Sequence, residues 1–141
     1  MPRFIILEHT AAPDDPAGLH YDLLLEAGPT CRTWRLAVLP TPDGAAVTAV
    51  EIAAHRLAWL DCDTAEVSGG RGRVRRIRHG GYRLEAGAAG DVATARAFGV
   101  ILLDAAHGGD RLRLEARDDG WTATLGHGGG GMMDPPPETK R

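Results

Sequence analysis

Two histidines and an aspartate near the start of the chain have the types and spacing of a metal site. His20 and Asp22 stand two residues apart in the run Leu19-His20-Tyr21-Asp22-Leu23-Leu24-Leu25-Glu26. Alternate side chains on a β-strand share a face, roughly 6.5 Å apart along the backbone, so these two point the same way. His9 closes the preceding strand-like run, Phe4-Ile5-Ile6-Leu7, and residues 10–19 separate it from His20. If the two runs pair antiparallel, that loop returns His9 beside His20 and Asp22. Two imidazoles and one carboxylate leave coordination positions open and suit Mn, Fe or Zn. The same spacing also occurs on the wet face of any amphipathic sheet, so it names candidates rather than a site.

The elements that must position these residues read as short strands. After a turn at Ala27-Gly28-Pro29-Thr30, residues 31–39 alternate around Trp34 and Leu36, and a breaker-rich loop follows at Pro40-Thr41-Pro42-Asp43-Gly44. Residues 46–53 are β-rich and lead to His55, and Leu57-Ala58-Trp59-Leu60 is a short apolar run. Ser68-Gly69-Gly70 turns the chain into an arginine-rich strand, with a hairpin expected at Gly80-Gly81 before Tyr82-Arg83-Leu84. Residues 93–105 are alanine-rich, but Val100-Ile101-Leu102-Leu103 predicts strand. A turn at residues 107–110, alternation over 111–117, a turn at Asp118-Asp119-Gly120 and a last strand over 121–125 complete the pattern. The pattern predicts an all-β barrel or sandwich of about eight mostly antiparallel short strands over residues 1–126. Residues 127–141, with four consecutive glycines and three consecutive prolines, read as a flexible tail.

A chain of 141 residues with 43% hydrophobic content suits one domain with one core. No stretch has the apolar length of a membrane span, and Met1-Pro2-Arg3-Phe4 runs into a strand without a signal-peptide pattern, so a cytoplasmic protein with no membrane partner is expected. Cys31 and Cys62 form no Cys-x-x-Cys pair and are expected to be reduced and structural. Lys140 is the only lysine, and there is no Asn or Gln. Residues 71–83 hold six arginines (Arg71, Arg73, Arg75, Arg76, Arg78 and Arg83) and no acid, so a net charge of −3 leaves −9 for the rest of the chain. Such a strip is either a docking surface for an anionic partner such as nucleic acid or an edge strand that resists aggregation by charge.

Taken together, Glu8-His9, the block from Leu19 to Glu26, Thr33-Trp34, His55-Arg56-Leu57-Ala58-Trp59 and the hairpin of residues 111–125 resemble the 3′-phosphoesterase domain of bacterial DNA ligase D. The resemblance covers about residues 3–125, with no polymerase or ligase module, as in a short stand-alone relative. It implies a small β-barrel and a metal-dependent enzyme of non-homologous end joining, typically using manganese. Such an enzyme removes a terminal ribonucleotide and then the 3′-phosphate from DNA 3′ ends. DNA 3′ ends and separate ligase or polymerase proteins are the implied partners. His9, His20 and Asp22 fall on the metal ligands, and His55 on the histidine that contacts the phosphate. The chain departs from the family in its phosphate clamp: Leu24 and Val47 replace arginines, Trp59 replaces a tyrosine, and no lysine lies between Leu39 and Gly44. Trp59 is then either a base-stacking platform or a core aromatic. Arg35, Arg56 or the strip holding Arg71, Arg73, Arg75, Arg76 and Arg78 are the cations available to compensate. Two other functions fit the same residues. One is a non-catalytic nucleic-acid- or phosphate-binding module that keeps the metal site. The other is an Fe(II) oxygenase built on His20, Asp22 and His55, with Arg71 anchoring a keto-acid.

Overall fold

The expected alternation becomes nine strands in the computed structural model, which describes residues 1–13, 15–86, 91–104 and 109–127. They are β1 (Arg3–Thr10), β2 (Leu19–Ala27), β3 (Thr30–Leu36), β4 (Val47–Arg56), β5 (Thr64–Glu66), β6 (Arg73–Leu84), β7 (Ala97–Leu103), β8 (Arg111–Arg117) and β9 (Gly120–Gly126). The sheet order is β1-β2-β3-β4-β9-β8-β7-β6-β5, and β1 also pairs with β6. That last pairing closes eight antiparallel strands into a barrel and leaves β5 outside it, against β6. Closure leaves no open edge in the ring. The flexible tail expected from residue 127 falls, from residue 128 onward, outside the described residues, as does half of the turn expected at residues 107–110.

The period of two sorts the apolar residues into two layers. Phe4 and Ile6 of β1, Leu23 and Leu25 of β2, and Trp34 and Leu36 of β3 share one cluster with residues of β7, β8 and β9, which is the barrel interior. Their neighbours Ile5, Leu7, Leu24 and Cys31 face the other way and form a second cluster with Val74 and Leu60. The route of the chain explains the second layer. β4 lies beside β3, but the next ring strand, β6, lies beside β1, so the connection must pass over the outer faces of β3, β2 and β1. The connection carries a 3-10 turn at Leu57–Asp61 and then β5, and packs Leu60, Trp59, Cys62, Ala65 and Val67 onto the outer apolar faces. Arg3 ties it down, donating to the Leu60 carbonyl at 2.9 Å and pairing with Asp61 at 2.7 Å. The apolar run at residues 57–60 is therefore a roof rather than a strand. Both cysteines are free, Cys31 within this outer layer and Cys62 against it.

One turn expected from sequence is absent. Gly80 and Gly81 do not reverse the chain: β6 runs through both for 12 residues. It pairs with β5 near its start and β7 near its end, with β1 along the opposite side. Glycine is needed there for close approach. A Cβ on Gly80 would lie 2.8 Å from the Leu103 carbonyl oxygen and 3.0 Å from Asp104 Cα. Among the described residues no helix is long and apolar enough to cross a membrane.

Candidate metal centre and its groove

His9 and His20 are direct cross-strand partners in the β1–β2 pair, and Leu7 opposes Asp22. All three candidate ligands lie on the outer face of the barrel, in line with Leu7 and Leu24 beneath the roof. Between the two strands Ala11 N–H donates to the Gly18 carbonyl at 3.1 Å. The site is dry: the side chains of His9, His20 and Asp22 are 11%, 3% and 6% exposed. One ligand atom from each of the three lies within 4.8 Å of the other two.

Hydrogen bonds outside this cluster decide what each ring nitrogen offers inside it. His9 Nε2 lies 2.8 Å from the Arg71 carbonyl oxygen. A carbonyl only accepts, so Nε2 carries the proton and Nδ1 keeps its lone pair. That Nδ1 faces Asp22 Oδ2 at 3.7 Å. His20 Nδ1 donates to Asp15 Oδ2 at 2.8 Å, which leaves the lone pair of His20 Nε2 facing Asp22 Oδ1 at 3.6 Å. His20 Nε2 and Asp22 Oδ1 are sealed from solvent and have no hydrogen-bond partner. Two imidazole lone pairs and a carboxylate thus converge with no proton assigned between them. Left unmet, each buried acceptor costs about 1–3 kcal/mol. A divalent cation bound at about 2.0–2.2 Å would place its ligands roughly 3–3.6 Å apart; the two His–Asp separations of 3.7 and 3.6 Å are close to this, and the set as a whole, within 4.8 Å, would need to close by about an ångström to satisfy all three at once. The donor set fits a divalent metal and leaves positions for water or substrate.

Asp15 is the residue that strand spacing does not find. Its Oδ1 accepts the Ala17 N–H at 3.0 Å while Oδ2 takes His20, so both oxygens fix the ring. The hydrogen bond from His20 holds the Asp15 carboxyl below its usual pKa, burial opposing. This carboxylate–histidine arrangement is the usual outer support of a metal-ligating imidazole. Its only trace in the sequence is an aspartate in a Pro/Gly loop.

The cluster opens into a groove of about 540 Å³, lined among others by His9, Asp22, Arg35, His55, Trp59 and Arg71. His55, near the end of β4, lines it but is not one of the three converging ligands. His55 Nδ1 donates to the Ala53 carbonyl at 3.1 Å, so Nε2 can donate to a substrate only when the ring is doubly protonated. Trp59 stands against His55, ring centroids 6.3 Å apart, and serves both the groove wall and the outer apolar cluster. Leu24 and Val47, where the resemblance leads one to expect arginine, do not line the groove. Leu24 is completely buried in the outer cluster, and Val47 packs against the barrel interior.

The arginine strip is divided, not continuous. Arg71 lines the groove, with its side chain bonded to Ser68. Arg73 pairs with Glu66 at 3.0 Å, Arg75 with Glu8 at 3.0 Å, and Arg76 approaches Asp63 at 3.9 Å. A register shift between Ile6 and Leu7 then turns Arg78 toward Asp104 at 2.8 Å and Asp110 at 3.2 Å, with only 13% of its side chain exposed. Burial works against the Arg78 charge, but the two carboxylates hold its pKa above the ordinary value. Arg78 also lines a cavity bounded by Leu102, Leu112 and Leu125, residues of the barrel interior. Neither a protein-family model nor a curated protein matches the chain.

Proposed function

We propose that this protein is a divalent-metal-dependent phosphoesterase acting on nucleic-acid 3′ ends, with manganese as its metal and DNA carrying a 3′-phosphate or 3′-ribonucleotide as its substrate. One observation carries the reading. Three buried ligand atoms, on His9, His20 and Asp22, converge with their outer nitrogens already committed, beside a groove that also holds His55. In this reading His9, His20 and Asp22 would hold the ion, which would supply Lewis-acid polarisation of a phosphoryl group and of a water, and His55, when doubly protonated, would donate to the phosphate from Nε2. The resemblance of the His-Tyr-Asp block to the 3′-phosphoesterase domain supports the substrate, and partner ligases or polymerases would use the resulting 3′-hydroxyl.

The test is incubation with Mn²⁺ and a recessed primer–template bearing a 3′-phosphate, together with Mn²⁺ titration of wild type and His20→Ala. The expected result is phosphate release by wild type only, and loss of Mn²⁺ binding in a variant that stays folded. Equal Mn²⁺ affinity in the variant would end the metal assignment. The apolar placement of Leu24, fully buried, and Val47, partly buried, supports a second reading, a binding module that keeps the ion but does not cleave. Mn²⁺-dependent DNA binding without phosphate release would select it.

A further inference from the structure

The interior of the barrel is filled unevenly. Trp34 packs against Phe98 and Trp121 with ring centroids 5.9 and 5.3 Å apart, and these rings occupy one part of the core. A second tier is aliphatic, with one side chain from each of six ring strands: Ile6 of β1, Leu23 of β2, Leu36 of β3, Leu102 of β7, Leu112 of β8 and Leu125 of β9. They surround a cavity of about 60 Å³, larger than the voids that close-packed interiors ordinarily keep. Leu39 and Pro40, partly exposed in the connection from β3 to β4, form its lip. Among the described lining residues Arg78 of β6 is the one polar side chain, and its guanidinium is committed. Nε and Nη2 each donate to Asp104 at 2.8 Å, and Nη1 donates to Asp110 at 3.2 Å. The cavity is separate from the metal groove. Ile6, Leu23 and Leu36 line the cavity while their chain neighbours Leu7, Asp22 and Arg35 line the groove, so the two spaces lie on opposite faces of β1, β2 and β3.

We infer that this aliphatic tier is a binding site for one small, neutral, apolar molecule, hydrocarbon in character. Water does not suit it. A buried water needs about two to four polar partners, and the cavity offers aliphatic carbon and N–H groups already given to carboxylates. An anion does not suit it either. Brought to Arg78, it would meet Asp104 and Asp110 as like charges, and taking over one of their hydrogen bonds would leave a buried carboxylate short of a donor. An apolar molecule leaves water favourably and supplies contact atoms to side chains that otherwise face a void. At roughly 30 Å³ per water in the liquid, the cavity has the volume of about two waters, which limits the ligand to a few heavy atoms. None of the three candidate metal ligands lines it, so the site does not depend on the metal reading above.

The experiment follows the leucine and isoleucine methyl resonances of the metal-free full chain by NMR while xenon, cyclopropane or sodium acetate is titrated in. Xenon and cyclopropane are expected to shift the methyls of Leu36, Leu112 and Leu125 along a saturating curve, and to leave those of Leu24 and Leu60 in the outer cluster unmoved. Acetate, small but charged, should move none of them. Leu112→Phe turns a ring into the void and is expected to weaken xenon binding by about tenfold or more, because the ring takes the volume the ligand needs. Leu36→Phe fills the same space from β3 and replaces it should Leu112→Phe fail to fold; the wild-type titration decides the matter without either. Four results overturn the inference: no shift in wild type, equal shifts at Leu24 and Leu60, acetate acting as strongly as xenon, or undiminished xenon binding in a folded filling variant.

Discussion

Asp15 decides which nitrogen of His20 is available, and this makes a loop residue as important to the cluster as the strand residues. Without the Asp15 carboxylate, the His20 ring can take either tautomer and rotate, and Nε2 no longer faces Asp22 by default. Asp15→Ala is therefore expected to weaken Mn²⁺ binding by about 10–100-fold. Asp15→Asn keeps a carbonyl oxygen that can accept from Nδ1 and should fall between the two. Isothermal titration with Mn²⁺, alongside urea denaturation of the metal-free protein, separates this from unfolding. Wild-type affinity in Asp15→Ala would refute the positioning role. Residues of the site divide by how they were legible. His20 and Asp22 could be read from the sequence because strand period alone puts them on one face, and His9 because a single antiparallel pairing suffices to return it. Asp15 could not, since a loop path brings it in, and Arg35, although a candidate cation in the sequence, could not be placed, because the register of a third strand sets it beside Asp22.

The same limit governs whole elements. Consecutive glycines at residues 80–81 carry the local signature of a turn, and only remote neighbours, Leu103 and Asp104 against Gly80 and Met1 against Gly81, call for glycine inside a continuous β6. The arginine strip read as one charged surface because its acidic partners all lie outside the run, Glu66 and Asp63 just before it and Glu8, Asp104 and Asp110 far from it in sequence. Gly72, just before β6, joins these elements to the site. Its φ is +96°, and a Cβ there would overlap the Thr10 carbonyl oxygen and press on Ala11 and Ala12. Those atoms follow His9, whose ring nitrogen is held by the Arg71 carbonyl next to Gly72. Gly72→Ala should therefore push β6 off the end of β1. The expected result is a loss of about 1–3 kcal/mol of stability, on the scale of overpacking, together with weakened Mn²⁺ binding. Gly28 also has a positive φ, +71°, but open space around it. Gly28→Ala should cost only backbone strain, about 1 kcal/mol, and leave Mn²⁺ affinity unchanged. If both variants bind Mn²⁺ equally, the close contact at Gly72 does not set the geometry of the cluster.

At the scale of the molecule, the barrel was legible because turn chemistry recurs at short intervals, while the two-layer organisation was not. It depends on the connection from β4 to β6 crossing outside the ring, a matter of topology and not of pattern. Burial opposes ionisation in both layers, at Cys31 and Cys62 in and against the outer cluster and at Tyr82 inside the barrel. Burial pushes the Cys31 thiol up from 9.0 to about 11 in the outer cluster. Burial pushes Tyr82, whose hydroxyl donates to the Glu26 carbonyl at 2.7 Å, up from 10.0 to about 12 inside the barrel. Both groups are neutral in folded and unfolded chains at pH 8, so they add no pH dependence there. Above pH 9 the unfolded chain releases the Cys31 proton, and above pH 10 the Tyr82 proton, while the folded chain retains both. The folded state then binds more protons, and stability must fall as pH rises, until the thiol ionises in the fold near pH 11 and the phenol near pH 12. At 1.36 kcal/mol per pKa unit, the two shifts together remove about 3–4 kcal/mol by pH 11, a large share of the roughly 5–15 kcal/mol that holds an ordinary domain. Urea unfolding of metal-free protein in excess EDTA, at pH 8, 9, 10 and 11, should give this falling curve. Cys31→Ala and Tyr82→Phe will each lower stability at pH 8 through lost packing or a lost hydrogen bond, but combined they should reduce the slope above pH 9 to the part left by Cys62, whose thiol burial also pushes up. A wild-type slope near zero between pH 9 and pH 11 would mean that thiol and phenol ionise as readily in the fold as in the unfolded chain, and that neither layer excludes water around them.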